Sequence, residues 1–190
     1  VRRSPASEPM PRSFRARAVG IDLDGTLLDT AADIAAALDA TLAELGRPPL
    51  PLDKVRTYIG KGVATLMQRA LSGSSDGRVD DAGAARAMAS FLRHYERENG
   101  RSAALFPQVP EGLAAMRAKG LRLACVTNKP QAFAETLLER TGLAAHFEFT
   151  VGGGAVSRGK PDPMPLEYAC ARFGIAPAAG HETGLKGFRA

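Results

Sequence analysis

Tryptophan is absent from the 190-residue chain, and aromatics supply only 6% of it. No apolar run approaches the ~18 residues that a membrane span requires, so no membrane partner is expected. There are two cysteines, Cys125 and Cys170, each inside an apolar pattern. They read as small core residues rather than a disulfide or a metal pair, which fits a reducing cytoplasm. The three histidines, His94, His146 and His181, are scattered and have no metal-ligand spacing. The formal charge is +5, but no dense basic run carries interleaved aromatics, so nucleic acid is not an expected partner. Val1 to Arg17 has no apolar h-region and is not a secretory signal. It reads as a disordered leader over 1–17, or as a start placed too early with Met10 the true start.

Against these absences stands one stretch, Val19 to Asp29. An apolar run reads as a buried strand and ends in two acids one residue apart, Asp22 and Asp24. Gly25 and Thr26 then break the strand. A turn at the carboxyl edge of a parallel sheet lies where open α/β sheets bind ligands. Two carboxylates there suit a nucleophile with an acid/base partner, or a hard-cation site. An Asx turn closing a strand is the plainer alternative.

Downstream, Thr30 is a plausible N-cap with Asp33 in the first turn, and Ile34, Leu38, Leu42 and Leu45 form a helical stripe stopped by Gly46. A short segment, Val55 to Ile59, leads to Gly60-Lys61-Gly62. Val63 to Leu71 and Met88 to Tyr95 carry two more apolar stripes, so 30–104 is expected to be all helical. The pattern then changes. Leu121 to Val126 is an apolar strand expected to stop at Thr127-Asn128-Lys129-Pro130. Phe147 to Val151 is a second strand, and helical stripes around Leu113, Leu137 and Leu166 flank both. Strands alternating with helices imply a parallel sheet.

Thr127 and the turn after it can hydrogen-bond a phosphate oxygen, although turn chemistry alone explains the same residues. Lys160 sits in Gly159-Lys160-Pro161-Asp162-Pro163, where two prolines fix the backbone and prevent a regular helix. Gly154 to Lys160 also fits G-x-x-x-x-G-K. Pro161 replaces the hydroxyl residue that a nucleotide-binding loop needs after its lysine, so that reading is rejected.

In order, D-x-D-G-T, a helical insertion, a strand ending in Thr-Asn, and Gly-Lys-Pro-Asp-Pro resemble the haloacid dehalogenase superfamily over about Ala18 to Pro177. Ile59-Gly60-Lys61-Gly62, Val126 to Pro130 and Val151-Gly152-Gly153 are most similar to the bacterial phosphoglycolate phosphatases within it. The resemblance implies a Rossmann-like α/β core over 18–29 and 105–190 and a helical cap over 30–104. It implies hydrolysis of 2-phosphoglycolate, a small phosphorylated carboxylic acid, in the cytoplasm by a monomer or homodimer. Asp22 would be the nucleophile and Asp24 the acid/base, with Lys160 offsetting charge. Thr127 and the Asn128 backbone would grip the phosphoryl group. Mg2+ would bind the Asp22 carboxylate and the Asp24 carbonyl. Lys61 would meet the substrate carboxylate, with a surface loop as the alternative.

The family's fourth motif, an apolar strand ending in Gly-Asp, has no counterpart; the chain reads Gly184 to Ala190 instead, with Glu182 the one late acid. The expectation is a C-terminally truncated or frameshifted member that departs near Thr183, leaving an unpaired edge beside the Asp22 strand. A sugar-phosphate phosphatase, a hexose-phosphate mutase and a catalytically impaired remnant remain alternatives.

Overall fold

The computed structural model describes residues 16–175. The elements run β1 (Ala18–Ile21), β2 (Leu28–Asp29), α1 (Ala31–Glu44), α2 (Leu52–Tyr58), α3 (Val63–Ser72), α4 (Asp81–Glu98), β3 (Ala104–Leu105), α5 (Val109–Ala118), β4 (Arg122–Pro130), α6 (Gln131–Arg140), β5 (Phe149–Gly153) and α7 (Met164–Phe173). The leader up to residue 15, Glu182 and the departure near Thr183 lie outside the described residues.

β1, β4 and β5 form a parallel sheet in the order β1-β4-β5. Among the described residues β1 is an edge strand, as the resemblance implied. Side chains alternate across β4, and both faces are covered. Leu123 and Cys125 pack with Leu113 of α5 and with Ala134, Leu137 and Leu138 of α6. Ala124 and Val126 pack on the other face with Val151, Ala169 and Phe173. Two-sided burial is the reason this strand reads as a continuous apolar run rather than an alternating one.

The helices between β2 and β3 have a core of their own. Leu38 and Leu42 of α1, Tyr58 of α2, Met67 of α3 and Phe91 and Tyr95 of α4 are its largest fully buried side chains. The segment Val55 to Ile59 falls largely within α2, where Val55 and Tyr58 face inward. At the junction, Leu28 pairs with Leu105 and Asp29 with Ala104 in a short antiparallel ribbon. Ala104 is therefore extended rather than helical, because the two chain crossings pair with each other.

Two further expectations are corrected. Thr30 precedes α1, but its side chain makes no capping hydrogen bond. Its hydroxyl donates instead to Asp24 Oδ1 at 2.7 Å. β4 does not stop at Thr127 but runs to Pro130, which pairs with Gly153; the register breaks between Val126 and Pro130.

Asp33 does more than favour the helix dipole. Its carboxylate is 1% exposed and accepts from Gly100 N at 2.8 Å and Ser102 N at 2.7 Å. It ties the entry of the helical unit to its exit. Asp33→Ala would strand two backbone donors, and is expected to cost roughly 2–4 kcal/mol in urea unfolding. A change below about 1 kcal/mol would show that water or another group replaces the carboxylate.

Candidate active site

β1 delivers Asp22 and Asp24 to the carboxyl edge of the sheet. The turn that follows requires Gly25 at φ +78°, a conformation that favours glycine, and closes with Gly25 N donating to Leu28 O at 2.8 Å. Leu27 N and Leu28 N both donate to Leu23 O. Leu23 is fully buried, whereas the Asp22 and Asp24 side chains are 27% and 11% exposed. The turn thus anchors an apolar residue between two acids that face the cleft.

Lys160 meets Asp22. Its Nζ lies 2.8 Å from Asp22 Oδ1 and donates to Val126 O at 2.8 Å. Leu23 N also donates to Asp22 Oδ1, at 2.8 Å. Oδ2 of Asp22 has no partner among the described residues. The Lys160 loop is seated by Asn128, whose Oδ1 accepts from Lys160 N at 2.8 Å while its Nδ2 donates to Lys160 O at 2.9 Å. The same Nδ2 donates to Gly60 O, 2.9 Å away in the helical unit. The Asn128 side chain therefore braces the Lys160 loop against the cap.

A second lysine, Lys129, meets Asp24. Its Nζ is 2.9 Å from Asp24 Oδ1 and donates to the Tyr95 hydroxyl. The ammonium also lies 4.7 Å from the Tyr95 ring centroid, a cation–π distance. Burial alone would push the Lys129 ammonium down; the Asp24 carboxylate and Tyr95 outweigh it and hold it above the ordinary lysine value. Burial pushes the Tyr95 hydroxyl up to about 12, so it is neutral at physiological pH. Neither Lys129 nor Tyr95 was assigned a role from the sequence. The one available signal was a lysine directly after an apolar strand's Thr-Asn and a polar-tipped ring on an apolar stripe.

Asp22, Asp24, Asn128, Lys129 and Tyr95 line an open cleft of about 480 Å³ between the two units. Its polar wall carries Asp22, Asp24, Thr127, Asn128 and Lys129, and its apolar wall Ile34, Ile59, Val63, Leu66, Phe91 and Tyr95. Thr127 Oγ1 accepts from Lys129 N at 3.2 Å, which leaves its O–H free to donate. Lys61 is exposed and does not line the cleft, although Gly60 and Gly62 do. The structure thus gathers Asp22, Asp24, Thr127, Asn128 and Lys160 and leaves Lys61 at the rim. No group of three His, Cys, Asp or Glu residues clusters for a metal among the described residues. Oxygen donors are nonetheless present there, in the Asp22 and Asp24 carboxylates that line the cleft. Among the described residues, no helix is long and apolar enough to cross a membrane.

A parallel α/β sheet thus presents a lysine-paired aspartate at its carboxyl edge, beside a helical unit with its own core. The chain belongs to the haloacid dehalogenase-like hydrolases: that family's model matches residues 16–180. The phosphoglycolate phosphatase of Nitrosospira multiformis is 49% identical over 161 residues, which are 85% of this chain and 71% of that protein. That of Thiobacillus denitrificans is 48% identical over 162 residues, with the same coverage. Among solved structures, a predicted phosphoglycolate phosphatase from Haemophilus somnus superposes with a TM-score of 0.77 at 31% identity, covering 85% of this chain and 73% of its own. The chain's kin within the family are thus phosphatases.

Gly159 tests the seating of Lys160. A Cβ there would lie 2.6 Å from Asn128 Oδ1. Gly159→Ala is expected to displace the Asn128 amide and cost about 1–3 kcal/mol on thermal or urea unfolding. An unchanged midpoint would mean that Asn128 does not hold the loop.

Proposed function

We propose that the chain is a magnesium-dependent phosphomonoester hydrolase acting on 2-phosphoglycolate in the cytoplasm. The observation that carries this reading is the lysine-paired Asp22, which lines the cleft with Oδ2 unpartnered among the described residues and Asp24 beside it. The names of the two bacterial relatives supply the substrate.

Asp22 Oδ2 attacks phosphorus, and the bond to the ester oxygen breaks. The phosphoryl group passes to Asp22 as an aspartyl-phosphate, which splits one hard displacement into two. Asp24 gives a proton to the departing glycolate oxygen. It then takes a proton from the water that attacks the aspartyl-phosphate, so that phosphate leaves and Asp22 is restored. The Thr127 hydroxyl and the Asn128 backbone N–H hold phosphoryl oxygens. Lys160 is already oriented by Asp22, Val126 and the Asn128 amide, so its charge acts without reorganisation as negative charge develops.

The donor set fits a magnesium ion. Mg2+ prefers oxygen, keeps several waters, and is commonly held by one or two carboxylates together with substrate phosphate. Asp22 and the Asp24 carbonyl would hold it, and it would supply further neutralisation of the phosphoryl oxygens.

The test is phosphate release from 2-phosphoglycolate in magnesium, with acid quenching to trap labelled protein. Release and trapped label should both vanish in Asp22→Asn. Asp24→Asn should retain some label on Asp22 while turnover falls about 10²–10⁴-fold. Turnover that survives Asp22→Asn would sink the aspartyl-phosphate route.

A further inference from the structure

Lys129 is a buried cation at the cleft that the reaction above does not use. Its side chain is 3% exposed. An ammonium has three N–H donors. One goes to Asp24 Oδ1, one to Tyr95, and the third has no partner among the described residues. Lys160 is turned toward Asp22 and the Val126 carbonyl, and Lys61 stands exposed at the rim. Lys129 is therefore the one cation among the described residues that line the cleft.

We infer that Lys129 binds the carboxylate of the substrate's leaving group and so selects a phosphate ester whose carboxylate lies one carbon from the ester oxygen. The inference rests on the phosphatase reading. In phosphoglycolate the carboxylate oxygens fall roughly 3 Å from the ester oxygen by ordinary bond lengths. Asp24, the group that protonates that ester oxygen, is 2.9 Å from Lys129 Nζ. A carboxylate on the next carbon is thus brought to the same ammonium that Asp24 touches. The remaining wall toward the cap is apolar side chains, which exclude water and strengthen an ammonium–carboxylate contact. Asp24 and Tyr95 already fix the ammonium, so binding orders no free lysine chain.

The experiment is calorimetric binding to the full chain carrying Asp22→Asn, in magnesium, so that ligand is not consumed. The ligands are 2-phosphoglycolate, ethyl phosphate, which lacks the carboxylate, and inorganic phosphate. Phosphoglycolate is expected to bind about 10–100-fold more tightly than ethyl phosphate, the range for a hydrogen bond to a charged group. Adding Lys129→Met should remove that preference while ethyl phosphate and inorganic phosphate still bind. Several results would overturn the assignment. Equal affinities for phosphoglycolate and ethyl phosphate before Lys129 is changed would do so without any doubt about the variant's folding. So would a preference that persists in Lys129→Met, or one lost only in Lys61→Met. A parallel fall for all three ligands would make Lys129 a mere support for Asp24. Inorganic phosphate is not consumed and is also measured on the chain with Asp22 intact; its failure to bind there would instead remove the phosphatase reading itself, and this inference with it.

Discussion

Two carboxylates one residue apart at the end of a buried strand repel each other unless each has its own counter-charge. The structure meets that constraint with two lysines on separate segments: Lys160 on Asp22 at 2.8 Å and Lys129 on Asp24 at 2.9 Å. The two pairs differ in kind. Asp22 and Lys160 are both about a quarter exposed, and Asp22 lines the cleft, as suits a group that must react. Lys129 is almost wholly buried, and breaking a buried pair by removing one partner typically costs about 3–5 kcal/mol. One pair is therefore the more exposed, and the other is held in place by burial.

The same contacts join the two units of the fold. Lys129 reaches Tyr95 on α4, and the Asn128 amide reaches Gly60 in the loop before α3. Adjacent residues of β4 thus touch the cap, while the Asn128 amide and Asp24 tie the same residues to the core. Asp33 closes the ribbon through which the chain enters and leaves the cap. Apolar walls from the helical unit lie across the polar edge of the sheet, so a small anion entering the cleft meets charge on one side and water exclusion on the other.

Much of this was legible in the residue order. The apolar runs located β1, β4 and β5 because both sheet faces, or an edge and one face, are buried. The helical stripes located the cap because it has a core of its own. Asp22, Asp24, Thr127 and Lys160 all end at strand edges or in loops; the structure brings the first three to one cleft and sets Lys160 against Asp22. What local pattern could not carry was the partnership of distant side chains. Asp24 and Lys129 are 105 residues apart, and Tyr95 and Lys129 are 34 apart. Thr30 looked like a cap residue because a hydroxyl before a helix normally is one. Here its hydroxyl donates to Asp24 and caps no helix N–H. Likewise β4 outran its expected end because Pro130 finds Gly153 across the ladder, a long-range pairing.

The most direct measurement of the central claim is a crystal structure of the chain with magnesium and beryllium trifluoride, which mimics a phosphoryl group on a carboxylate. Beryllium fluoride is expected on the Asp22 carboxylate, with Thr127 donating to a fluorine, Lys160 beside it, and Lys129 still on Asp24. Beryllium fluoride on Asp24, or a soaked structure in which Asp22 stays bare and paired only with Lys160, would contradict the assignment of Asp22 as the group that takes the phosphoryl.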